Sequence, residues 1–191
     1  MRKRRPDMEL LDLVDREGNP TGETKERTLV HRDGDRHRTC HVWLARRRAG
    51  AWQVLLQKRS DCKDSHPGCF DISSAGHIPA GVDWIPSALR ELWEELGIRA
   101  MPEQLHLAGT RHISWEGTFY GHPFRDNQVS RVYCMLWDGE PEALCLQESE
   151  VSAVRWMNLE ACRDAVVNNR IPHCIFPEEL DLVAAALGEL P

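Results

Sequence analysis

Glu91, Glu94 and Glu95 fall at i, i+3 and i+4, so a helix through them projects all three from one side. Like charges at those spacings destabilise an isolated helix by roughly 0.2–0.5 kcal/mol per pair. They also lie late in the segment, where the helix dipole disfavours anions. Arg90, four residues before Glu94, offsets part of this. A hard divalent cation is the natural remedy for the rest, because clustered carboxylate oxygens suit Mg²⁺ or Mn²⁺. Taken alone the pattern is weak, and a solvated acidic helix face accounts for it.

The elements that must position these residues are legible in outline. A helix is predicted over 84–96: Asp83 is a candidate N-cap, Pro86 falls in the first turn, and Gly97 closes the end. Ile85, Ala88, Leu89, Leu92 and Leu96 give it one apolar face. Strands are predicted over 9–14, 40–45, 52–57, 105–113, 129–137 and 151–157, with a short extended stretch at 70–78. Residues 24–38 read as irregular or a short helix and loop. Residues 46–51, 60–68 and 114–128 read as loops. Asn158 is set to cap a helix reaching about 168, and a last helix spans about 177–187, stopped by Gly188. This order gives an α/β (α+β) fold with a mixed sheet sandwiched by helices.

The chain has 191 residues, 41% hydrophobic and 28% charged, which suits a single globular domain over 1–191. The basic start, residues 1–7, reads as a disordered terminus. A net charge of −6 argues against general nucleic-acid binding. No apolar run is long enough to span a bilayer. Seven cysteines without C-x-x-C spacing argue against a zinc ribbon or a disulfide framework, and fit a reducing cytoplasm.

The stretch from Gly76 to Ile98 resembles the Nudix box: Gly, five residues, Glu, seven residues, then Arg-Glu-aliphatic-x-Glu-Glu-x-Gly-aliphatic. One fixed position departs, because Val82 replaces the first glutamate, with Asp83 beside it as a candidate substitute. The resemblance implies a Nudix fold in which Glu91, Glu94 and Glu95 bind metal, Glu95 foremost. It implies that the ion neutralises a diphosphate and lowers the pKa of a bound water, whose proton Glu91 or Glu94 removes. It also implies that the backbone at Gly76 approaches the ion closely, which a residue without Cβ allows. The missing glutamate ordinarily braces the box arginine, here Arg90.

The segments from His31 to Arg38, His41 to Trp43, Leu55 to Ser60, Pro67-Gly68 and Asp71 to Ile78 are similar to the branch related to isopentenyl diphosphate isomerase. That likeness implies a second metal site from His31, His37 and His77, and diphosphate contacts from Arg59 and Lys63. The isomerase cysteine falls on Ala75 and its glutamate on Gln128, with Asp126 nearby. Alanine cannot transfer a proton and glutamine is not a carboxylate acid or base, so isomerisation is disfavoured. His77, Trp115 and Gln128 are candidate substrate contacts, and Phe119, Tyr120 and Phe124 could line an apolar site. Trp43, Trp93 and Trp156 read as core residues. His41 and His66 match no motif.

The expected function is metal-dependent hydrolysis of a small diphosphate compound, an isoprenoid diphosphate such as isopentenyl diphosphate or a related organic diphosphate. Alternatives are a nucleoside diphosphate derivative as substrate, the isomerase reaction, and a non-catalytic binding domain. A monomer or homodimer without nucleic-acid or membrane partners is expected.

Overall fold

The computed structural model describes residues 9–63, 65–119 and 121–190, apart from the side chains of Phe119 and His122. The basic start and Tyr120 lie outside the described residues. Strands β1 (Leu10–Val14) and β2 (Pro20–Glu26) pair antiparallel as a separate ribbon. Helix α1 (Arg27–Asp33) follows and ends at Gly34, whose φ of 76° suits glycine. Of the two readings of residues 24–38, the short helix is the one observed, and the end of β2 precedes it.

The main sheet is built on β3 (His37–Arg48). Its first half pairs with β6 (Ser74–His77) and its second half with β4 (Ala51–Arg59). Along its other edge runs β8 (His122–Leu136), parallel to it. Strand β7 (His106–Phe119) pairs antiparallel with β8. Strands β5 (Phe70–Asp71) and β9 (Val151–Asn158) both join β4.

Helix α2 (Trp84–Leu96) matches its predicted bounds, with Asp83 accepting from the Trp84 amide and Gly97 in the left-handed region at φ 71°. Its apolar side, Ala88, Leu92 and Leu96, packs on Cys40, Val42 and Leu44 of β3. Helices α3 (Leu159–Val167) and α4 (Pro177–Glu189) cover the opposite face, where Leu180, Val183 and Leu187 meet Trp43 and Ala45. Each buried leucine contributes about 1.5–3 kcal/mol. Alternation along β3 thus assigns its even-numbered residues to α2 and its odd-numbered residues to α4. The expected mixed sheet between helices is the observed architecture.

Three local expectations are corrected. The loop expected over 114–128 is the far part of the β7–β8 hairpin, paired down to Phe119↔His122. The hairpin loop expected over 46–51 shrinks to Ala49–Gly50, both at positive φ, because a two-residue turn of that kind matches strand twist. Helix α4 continues past Gly188 to Glu189. Among the described residues, no helix is long and apolar enough to cross a membrane.

Candidate functional site

Two of the three box glutamates turn inward. Glu95 is 6% exposed, and one of its oxygens accepts from the backbone N–H of Ala75 at 3.2 Å. Glu91 lies against Gly76 so closely that a Cβ there would sit 2.2 Å from the Glu91 carboxyl carbon. Glu94 is not brought to them: its side chain is 51% exposed, and Arg90 reaches it only at 4.0 Å. Burial pushes the Glu95 carboxyl up to about 8 and that of Glu91 up to about 7. A cradle where a methyl group would meet the Glu91 carboxyl, holding one buried and one half-buried carboxylate that resist ionisation, fits a divalent cation that would restore their charge.

Without such an ion these two groups carry a stability cost with a definite pH window. Their folded pKa values lie above the ordinary carboxylate value of 4.5. Their favourable contribution is therefore complete below pH 4.5 and lost as pH rises through about 7 and 8. In EDTA, the urea midpoint should fall from pH 5 to pH 9, and millimolar Mg²⁺ should reverse that fall at the alkaline end.

The bracing around Val82 differs from the expectation. Asp83 caps α2 rather than meeting Arg90. Arg90 instead donates to the carbonyl of His77 and to Glu91. The Val82 side chain packs on the core and its carbonyl accepts from Arg38.

The histidines form a second cluster on the face away from α2. His31, His37 and His77 place one ring nitrogen each within 4.8 Å of the others. Asp126 brings an oxygen to 3.6 Å from His37 Nε2 and 3.8 Å from His31 Nε2. His37 Nδ1 donates to the Asp35 carbonyl at 3.0 Å, which leaves a lone pair on Nε2. That nitrogen and Asp126 Oδ1 are both buried without a hydrogen bond. Burial lowers all three imidazoles, His31 to about 3, and so keeps them neutral. Three neutral imidazoles and a carboxylate fit a borderline metal such as Mn²⁺ or Zn²⁺ better than Mg²⁺.

A cavity of about 1300 Å³ opens over this face, and Ala75, Gly76, His77, Trp115, Asp126 and Gln128 line it. The predicted cations line it too, already engaged. Arg59 donates to Asp71 at 3.0 Å and to Ser65, and Lys63 is ion-paired with Glu150. Gln128 donates to Asp126 at 2.7 Å and accepts from Thr39. Phe124 stacks on His31, with ring centroids 4.5 Å apart. Trp43 is buried as expected, but Trp93 is 47% exposed beneath Arg99. Outward-facing position 93 falls between Leu92 and Glu94, off the apolar stripe of α2.

Sequence reasoning passed over three cavity residues. Glu150 precedes β9 at the mouth, and its charge is felt at Glu95. His41 and Glu179 meet at the floor. A glutamate on the apolar side of α4, next to Leu180, was the available signal.

A family model for the NUDIX domain matches residues 35–173. The chain is 42% identical over 159 residues to Nudix hydrolase 3 of Arabidopsis thaliana, covering 82% of this chain but 20% of that protein. It is 38% identical over 143 residues to an uncharacterized Nudix hydrolase of Clostridium acetobutylicum, covering 75% and 66%. Its fold is similar to that of a Deinococcus radiodurans protein at TM-score 0.65 and 19% identity, covering 93% of this chain and 99% of that one. It is also similar to the NUDIX domain of Shewanella oneidensis NrtR complexed with ADP ribose, at TM-score 0.56 and 19% identity, covering 81% and 88%. Matched by a family model over residues 35–173, most of its length, the chain belongs to the NUDIX domain family.

Proposed function

We propose that this chain hydrolyses a diphosphate linkage in a small organic molecule, using Mg²⁺ or Mn²⁺ held by Glu91 and Glu95 beside Gly76. The observation that carries the reading is a buried Glu95 held by the Ala75 amide beside a half-buried Glu91 packed against Gly76, where a side chain would meet its carboxyl group. When bound, the ion supplies charge neutralisation and an acidified water. Glu95, held by the Ala75 amide, fixes the geometry. Glu91, in its charged form, accepts the proton of the attacking water. Arg59 and Lys63 are placed to exchange their internal carboxylates for phosphate oxygens. This investment in buried charge favours catalysis over a silent binding role.

The likeness to the isopentenyl diphosphate isomerase branch supports a second metal at His31, His37, His77 and Asp126. Ala75 and Gln128 line the cavity where the isomerase acid–base pair would stand, which supports hydrolysis over isomerisation. Apolar Ile72, Ile113 and Ile175 suit an isoprenoid diphosphate such as isopentenyl diphosphate. The volume favours a second reading: about 1300 Å³ exceeds the roughly 300–1000 Å³ of most small-molecule sites. A nucleoside diphosphate derivative, its base against Trp115, fills that space better.

The test is a phosphate-release screen with Mg²⁺ or Mn²⁺ over isopentenyl diphosphate, ADP-ribose, nucleotide sugars, dinucleoside polyphosphates and nucleoside triphosphates. Turnover of at least one diphosphate is expected, with nucleoside derivatives ahead. Failure on every compound with both metals would overturn the hydrolase reading.

A further inference from the structure

In the cavity lining, on the sheet face opposite the box helix, Glu179 is 1% exposed and gathers three donors. His41 Nδ1 lies 2.9 Å from Oε1 and 3.1 Å from Oε2, Trp43 Nε1 donates at 2.8 Å, and Arg111 completes the set. A carboxylate this deeply buried needs such partners, since burial alone would push its pKa up; together they pull it down to about 2. Burial opposes the charged form of His41, and the Glu179 carboxylate outweighs it, which raises the imidazole above its ordinary value.

The arrangement pins α4 to the sheet, but it leaves one group over. Among the described residues, His41 Nε2 has no hydrogen bond, and His41 lines the cavity. Its neighbour across β3–β6 is Ala75, whose methyl group leaves the ring uncovered. Register fixes where this donor stands. Cys40↔Gly76 faces α2 and the box glutamates, whereas His41↔Ala75 faces α4. Glu91 and Glu95 are not among the residues that line the cavity, which His41 shares with Arg59, Lys63 and Trp115. A ligand whose phosphates meet Arg59 and Lys63 has its organic half to lay over the rest of that lining, His41 included.

We propose that His41, oriented by Glu179, is a specificity-determining residue whose Nε2–H donates to a hydroxyl or carbonyl oxygen in the organic half of the substrate. The inference rests on the diphosphate-hydrolase reading above and narrows it to substrates whose organic half carries oxygen acceptors. A purely hydrocarbon half leaves the buried donor unpaired, which a polar site penalises. Glu179 acts as a positioning residue.

The experiment measures kcat and KM for ADP-ribose and for isopentenyl diphosphate with wild type, His41→Asn, His41→Gln and Glu179→Gln. An asparagine amide reaches the position of Nδ1 and keeps the bond to Glu179, but presents nothing at Nε2. His41→Asn should melt near wild type yet raise KM for ADP-ribose about tenfold with kcat within twofold, the loss of one charged hydrogen bond. His41→Gln, whose amide reaches the Nε2 position, should recover part of that loss. Glu179→Gln should raise KM in the same direction, and KM for isopentenyl diphosphate should stay put in all three. Unchanged KM for ADP-ribose in a turning-over His41→Asn overturns the inference alone, as does an equal rise for both compounds, which would put the donor on a phosphate. A wild type that hydrolyses neither compound nor any other diphosphate overturns the functional reading, and the inference falls with it.

Discussion

Glu95→Gln should lower kcat by about a hundred- to a thousandfold, the usual scale for removing one electrostatic stabiliser of a reacting phosphate or carbonyl, while the fold is kept. The carboxamide is nearly isosteric and can still accept from the Ala75 amide through its oxygen. What it lacks is the charge that binds a cation. The second part of the expectation separates a metal ligand from a structural residue. Burial raises the Glu95 carboxyl from 4.5 to about 8. At about 1.4 kcal/mol per pKa unit, that is on the order of 5 kcal/mol against the charged form. In EDTA at pH 8 or above, the variant should therefore be at least as stable as wild type although it is nearly inactive. Loss of activity together with a large fall in melting temperature would indicate that Glu95 merely holds the fold.

Gly76→Ala should be damaging on both counts. The new Cβ would stand 2.2 Å from the Glu91 carboxyl carbon and 2.3 Å from one of its oxygens. Position 76 is fixed in β6 by its pairing with Cys40, so the glutamate must move. The clash is with the outer atoms of one flexible side chain, so overpacking here costs at most about 1–3 kcal/mol, or at most roughly 2–10 °C of melting temperature for a chain of this size. Turnover should fall at least tenfold, because Glu91 leaves the position beside Glu95. Near-normal kcat and melting in Gly76→Ala would show that the close approach has no function.

The box helix was legible because local signals agreed: a capping aspartate, a proline in the first turn, a 3.6-residue apolar period and a terminal glycine. Its glutamates were legible as a group, but not which of them turn inward. Glu91 and Glu95 share a face with Leu92 and Ala88, whereas Glu94 is rotated towards solvent. The β7–β8 extension was missed because Gly117 reads as a loop residue. In the structure a Cβ there would lie 2.4 Å from the ring of Trp115, two residues earlier on the same side of the strand. The glycine makes room for the indole and does not break the strand. The second histidine site came from the family resemblance, and no spacing rule joins His31, His37 and His77 across a helix and two strands. The His41–Glu179 pair lies further still from local reasoning, since 138 positions separate the partners. Only the packing of α4 on β3 brings them together.

The measurement that tests the central claim most directly is Mn²⁺ binding, followed by electron paramagnetic resonance, to wild type, Glu95→Gln and His31→Ala. If Glu91 and Glu95 hold the ion, Glu95→Gln loses a bound Mn²⁺ or weakens it at least tenfold, and His31→Ala retains that same site. If Glu95→Gln binds Mn²⁺ with the stoichiometry and affinity of wild type, the buried carboxylates beside Gly76 are not a metal centre.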